Sequence, residues 1–113
     1  MMNNAARRGK AHQTRLPVTP SGTTTITLTE DQMQAEYIDI ATGATGGWVL
    51  QIPVTPKDMG MWWLIRNASG QIVTVKGYTA DGGTTPTTGE GVANAKISLV
   101  IWDGTEFIEF TGP

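Results

Sequence analysis

The chain has 113 residues, is 39% hydrophobic and 16% charged, carries a formal net charge of −2 and contains no cysteine. Such a length holds one domain with one modest core, and the lack of cysteine excludes disulfide frameworks, thiolate–zinc sites and thiol catalysis. No apolar run approaches the roughly 18 residues of a membrane span, and no apolar stretch of a signal peptide follows the basic amino-terminal residues, so a soluble protein made in a cytoplasm is expected.

Charge is unevenly distributed along the chain. Up to Gly22 there are four basic residues, Arg7, Arg8, Lys10 and Arg15, and no acid; the remainder sets four basic residues against ten acidic ones. Residues 1–22 have little apolar periodicity and end in Leu16-Pro17-Val18-Thr19-Pro20, where each proline biases the residue before it towards extended backbone. The prediction is two parts: an extended basic arm over 1–22 and a β body over 23–113. The arm has no aromatic residue to stack on bases and its body is acidic, so its arginines are expected to fork onto carboxylates of a protein partner rather than onto nucleic acid.

Thr23 to Thr29 alternates threonine with apolar residues at period two, the pattern of a half-buried strand. Thr29 and Gln32 have the spacing of a capping box, and Leu28 and Met33 that of a hydrophobic staple, so one short helical turn should follow. Extended structure returns over 36–41, then a glycine-rich loop, then a strand over 48–52 that Pro53 should stop. Residues 61–66 are strongly apolar and β-prone, 67–70 form a turn, and 71–76 alternate again. A long polar loop over 81–91 precedes a strand over 96–102. Asp103-Gly104 is a strong hairpin signal and leads into a last strand over 106–110. Seven or so short strands with turn signals between them predict an all-β fold, a small antiparallel β-sandwich or barrel.

Few residues offer chemistry. The single histidine, His12, lies in the arm with no cysteine or carboxylate near it, which suits neither a zinc site nor a catalytic triad. Asp58, Asp81, Asp103, Glu106 and Glu109 could in principle supply a glycosidase pair, but they fall in turns or at alternating strand positions, where solvated carboxylates are ordinary. Calcium at Asp81, Asp103 or the loop from Asp81 to Glu90 lacks the spacing of an EF-hand. Asn67-Ala68-Ser69 matches a glycosylation sequon and reads more simply as a turn. Neither an enzyme, a cofactor, a metal nor a small-molecule substrate is expected. Trp62 and Trp63 are adjacent on a strand, so one ring should fill the core and the other point outwards, where a subunit interface, a bound sugar or a covering loop could account for it.

The order of these segments resembles a small β module found in structural proteins of tailed bacteriophages. The likeness runs over roughly 23–110 and is carried by Leu64-Ile65-Arg66-Asn67-Ala68-Ser69-Gly70, then Val73-Thr74-Val75-Lys76, and then Ile97-Ser98-Leu99-Val100-Ile101-Trp102-Asp103-Gly104-Thr105. The module usually has Pro-Gln-Gly before the last apolar strand; here Gly91-Val92-Ala93-Asn94 stands in that place. With a short body and a basic arm, the chain looks most like a capsid decoration, or cement, protein. That resemblance implies a virion structural protein on the capsid exterior that binds the major capsid protein as a homotrimer and stabilises the shell. Arg7, Arg8, Lys10, Arg15 and Leu16 would anchor the arm, and Trp62 or Trp63 would pack between subunits. The alternatives are a tail-fibre or baseplate attachment module and a glycan-binding β-sandwich.

Overall fold

A computed structural model describes residues 15–78 and 89–111. Nine strands form two sheets over one core: β1 (Arg15–Val18), β2 (Ile26–Thr27), β3 (Tyr37–Ile40), β4 (Trp48–Pro53), β5 (Trp62–Asn67), β6 (Val73–Tyr78), β7 (Glu90–Val92), β8 (Lys96–Trp102) and β9 (Phe107–Thr111). The five-stranded sheet has the order β1-β3-β5-β8-β9 and the four-stranded sheet β2-β4-β6-β7.

The expected all-β architecture is present, but the pairing is mixed rather than antiparallel. From β1 to β6 the chain alternates between the sheets, and strands adjacent within a sheet run parallel: β1 with β3, β3 with β5, β2 with β4, and β4 with β6. Partners lie 22 residues apart at Arg15↔Tyr37, 24 at Ile26↔Leu50 and 27 at Tyr37↔Leu64. A parallel pair needs a long crossover, and here each crossover contains a strand of the opposite sheet and one short 3-10 turn instead of an α-helix. Antiparallel pairing is confined to β5 with β8, β6 with β7, and β8 with β9.

Alternation along the strands builds the core. Ile38 and Ile40 of β3, Trp63 and Ile65 of β5, and Val100 and Trp102 of β8 meet Trp48, Leu50 and Ile52 of β4 and Val73 and Val75 of β6 in a single buried cluster. The Trp63 ring stands edge-on to Phe107, with centroids 5.9 Å apart, and Trp102 packs against the same ring at 4.9 Å. Buried indole N–H groups need acceptors, and each here pins a turn. Trp63 donates to the Met33 carbonyl at 2.8 Å, Trp102 to the Thr55 carbonyl at 2.9 Å and Trp48 to Ser69 Oγ at 3.1 Å.

Local signals act as read. Thr29 N–H donates to Gln32 Oε1 and Gln32 N–H to Thr29 Oγ1, and one 3-10 turn follows over Gln32–Gln34, with Asp31 and not Thr29 at its N-cap. Leu28 and Met33 are both buried. Asp103 Oδ1 accepts from the backbone N–H groups of Thr105 and Glu106, each at 2.7 Å, which closes the last hairpin, and Gly104 supplies its φ of 98°.

Two boundaries differ from expectation. Arg15–Val18 is an edge strand of the five-stranded sheet, and Val18 is only 6% exposed, so the body begins at Arg15 and not after Gly22. The strap prefers the chain's own sheet because β3 offers it a parallel partner and Leu16 and Val18 an apolar home. β4 ends at Pro53 as expected, whereas Glu90 and Gly91, assigned to a loop by composition, belong to the strand Glu90–Val92 paired with β6. Residues 81–88 of that loop, Asp81 included, lie outside the described residues.

Candidate binding face

The outward residues of the two sheets differ in character. On the four-stranded sheet they are Thr27, Val49, Gln51, Thr74 and Lys76, with Thr27 Oγ1 donating to Gln51 Oε1 at 2.7 Å, and the apolar Ile72 just before β6 and Tyr78 at its end are set apart by Thr74 and Lys76. On the five-stranded sheet they form registered apolar rows. Trp62 of β5 is opposite Ile101 of β8, which is opposite Ile108 of β9. In the next row Tyr37, Leu64, Leu99 and Phe110 follow across β3, β5, β8 and β9. Trp62 is 37% exposed, Leu64 38%, Ile97 48%, Ile108 41% and Phe110 58%. Single exposed apolar residues are ordinary on protein surfaces, whereas a contiguous apolar patch marks a contact site.

A small ionic cluster borders this face. Asp39 of β3 accepts from Arg15 on one side, at 3.0 and 2.7 Å, and from Arg66 on the other, at 2.8 Å. Hydrogen bonds from Arg66 first and Arg15 second hold the Asp39 carboxyl below the usual range, against a smaller opposing effect of its partial burial. Both guanidinium groups are about half exposed, 54% and 48%, so solvent screens each pair and its contribution to stability is small.

The residues singled out in the sequence separate. Trp62 faces outwards, while Trp63 is 0% exposed in the core and is not available to an interface; the parity of β5 decides between the two. Leu16 packs against the core, and Arg15 is engaged with Asp39, so neither is a free anchor of an arm. Arg7, Arg8, Lys10 and His12 lie outside the described residues. The face contains residues that the sequence reading did not select: Leu64, Ile97, Leu99, Ile101, Ile108 and Phe110. Their signal was the loss of alternation in 61–66 and 97–102, where both faces of a strand are apolar.

The carboxylates have local roles. Asp58 Oδ2 accepts from Thr55 N–H in a second capping box. Asp103 is held below the usual carboxylate range, chiefly by the backbone N–H of Glu106 and then that of Thr105. Glu109 Oε2 accepts from Ser98 Oγ and Thr111 Oγ1, each at 2.7 Å. Among the described residues, no group of three or more His, Cys, Asp or Glu is placed to hold a metal ion, and no helix is long and apolar enough to cross a membrane. Asn67 is buried with its Nδ2 donated to the carbonyls of Gln71 and Val92, so the sequon serves as a turn clamp in the folded chain.

The geometry defines a two-sheet β module with one polar and one apolar outer face. No protein-family model matches the chain, and no curated protein and no solved structure matches it significantly.

Proposed function

We propose that the chain is a non-enzymatic structural protein of a tailed-bacteriophage virion that binds the outer capsid surface and stabilises the shell by bridging major capsid subunits. The observation that carries the binding role is the position of Arg15, the residue that follows the basic segment, in a row of the apolar face. Arg15, the first residue of β1, lies in the same cross-strand row as Tyr37, Leu64, Leu99 and Phe110. Residues 1–14, with Arg7, Arg8 and Lys10 and no acid, therefore join the body at the rim of that face. In this reading the segment binds acidic capsid surface and the apolar face joins copies. Associated copies bring several segments to one shell and raise their effective concentration. The sequence resemblance supplies the virion assignment.

The test is co-sedimentation with shells assembled from the cognate major capsid protein, using the full chain and a chain that begins at Arg15. The full chain should pellet with shells. The shortened chain should stay folded and remain in the supernatant, and its retention on shells would overturn the role given to Arg7, Arg8 and Lys10. Failure of the full chain to pellet would remove the capsid reading. A second reading, a glycan-binding or tail-attachment module, is favoured by one observation: Trp62 and Tyr37 lie outwards on the face of a sheet, where an aromatic ring can stack on a sugar. Saccharide-dependent quenching of tryptophan fluorescence, abolished by Trp62→Ala, would support it.

A further inference from the structure

We infer that the outer face of the five-stranded sheet, with its apolar centre over β5, β8 and β9, is a two-fold interface, on which a second copy of this chain seats the same face. The inference concerns the body and stands whether or not a shell is its target.

The first argument is area. Five strands at about 4.8 Å spacing and some five residues at about 3.3 Å rise give a face of roughly 24 by 17 Å. Side chains standing off that footprint bring the area removed from water towards the roughly 800 Å² per partner of a standard interface. The apolar residues lie over β5, β8 and β9, and the polar Arg15–Asp39–Arg66 cluster runs from β1 across β3 to the far end of β5. A desolvated apolar centre with a polar rim is the anatomy of a protein contact.

The second argument is symmetry. A ring of three copies is joined head to tail and needs two different complementary patches, whereas a two-fold contact uses one patch twice. The body offers one such sheet face, since the outward face of the other sheet is mostly polar. Sheet faces suit self-packing: two can stack about 10 Å apart with their strands roughly aligned, as the layers of a sandwich do. The two-fold replaces the three-fold expected from the resemblance.

The third argument is charge. With three basic residues and no acid in residues 1–14 and a net −2 overall, residues 15–113 carry −5. Two such bodies repel at long range. The three basic residues of 1–14 reduce that repulsion by lowering the net charge of each whole chain to −2.

The experiment is light scattering on the full chain across a wide concentration range, at low and high salt. The expected result is a species of twice 12.1 kDa that survives high salt, because apolar contact is not screened as surface ion pairs are. A monomer at all concentrations, or a trimer, overturns the inference. Leu64→Thr and Ile108→Thr keep strand propensity and remove apolar surface from the face. Each should raise the dimer dissociation constant tenfold or more, while Thr74→Val on the other sheet leaves it unchanged; dimers of unaltered affinity in the first two refute the face. A readout independent of their folding is tryptophan emission on dilution of the wild-type chain. It should shift to the red as Trp62 gains water, and the shift should vanish in Trp62→Phe. Dissociation without that shift also overturns the inference.

Discussion

Asn67 is the polar joint between the two sheets, and its removal tests how much of the fold depends on it. The residue ends β5 in the five-stranded sheet and is 0% exposed. Its Nδ2 donates to Gln71 O and to Val92 O, each at 2.8 Å, the latter on β7 of the four-stranded sheet, and its Oδ1 accepts from Ser69 N–H at 3.0 Å. Asn67→Leu keeps similar volume and removes all three bonds. Gln71 O retains the Ser69 hydroxyl, at 2.9 Å, so the cost falls mainly on Ser69 N–H and Val92 O. A buried group deprived of its partner costs about 1–3 kcal/mol, giving a loss of about 2–5 kcal/mol. That is a large part of the roughly 5–15 kcal/mol that holds a domain folded. Urea unfolding at neutral pH should show a lower midpoint with an unchanged slope, and thermal unfolding a fall on the order of 10 °C or more. Asn67→Asp adds a signature in pH. Its carboxylate would face the carbonyls of Gln71 and Val92 in a buried site, which raises the folded-state pKa above the unfolded one. The variant is then most stable relative to wild type below the unfolded value of about 4 and loses ground as pH rises. A loss under about 1 kcal/mol for Asn67→Leu, or a pH-independent Asn67→Asp, would refute the clamp.

Truncation should separate arm from body: removing residues 1–14 leaves the melting temperature almost unchanged, whereas removing 1–20 strips β1, with the buried Val18 and the half-buried Leu16, and costs about 2–4 kcal/mol, at roughly 1.5–3 kcal/mol for a fully buried side chain and less for a half-buried one, read by calorimetry. Gly43→Ala should destabilise by about 2 kcal/mol or more, because a Cβ there would lie 2.2 Å from the Pro20 carbonyl oxygen at a φ of 149°, while Gly47→Ala, whose Cβ would meet Ile72 at an ordinary 3.5 Å, should be tolerated. Asp39 has a lowered folded pKa, so its contribution is present above the unfolded value and is lost as pH falls through the folded one; the stability gap between wild type and Asp39→Asn, measured by urea midpoints, should be widest near neutrality and close in acid.

Much of the local structure was legible in the sequence, because the signals concerned are local. The Thr29–Gln32 capping box, the Asn67–Gly70 turn and the Asp103-Gly104 hairpin each depend on residues within a few positions of one another. Strand partners were not legible. Period two says which side chains share a face, not which strand lies alongside, and here the partner in the sheet is usually two strands away in the chain. β7 escaped because Gly91 shows no side chain to read, and β1 because prolines and charge resemble a linker until β3 lies beside them. The outward tryptophan needed only the parity of β5, which its inner neighbours Ile65 and Asn67 fix.

The same parity separates what folding requires from what it does not. β6 reads Val73, Thr74, Val75, Lys76, with apolar residues buried and polar ones outwards, and needs no partner beyond the core. β8 reads Ile97, Ser98, Leu99, Val100, Ile101, Trp102, and its inner positions Ser98, Val100 and Trp102 already complete the core. Ile97, Leu99 and Ile101 add nothing to that core, yet Leu99 and Ile101 are joined in register by Leu64 and Trp62 on one side and by Phe110 and Ile108 on the other, and Ile97 stands opposite Arg66. Near-continuous apolar strands are the mark of a sheet covered on both faces. Within one copy the inner face is covered by the four-stranded sheet. The composition of the outer face is that of a surface that also spends its time covered, and a second copy of the same face is the cover that its area and symmetry fit.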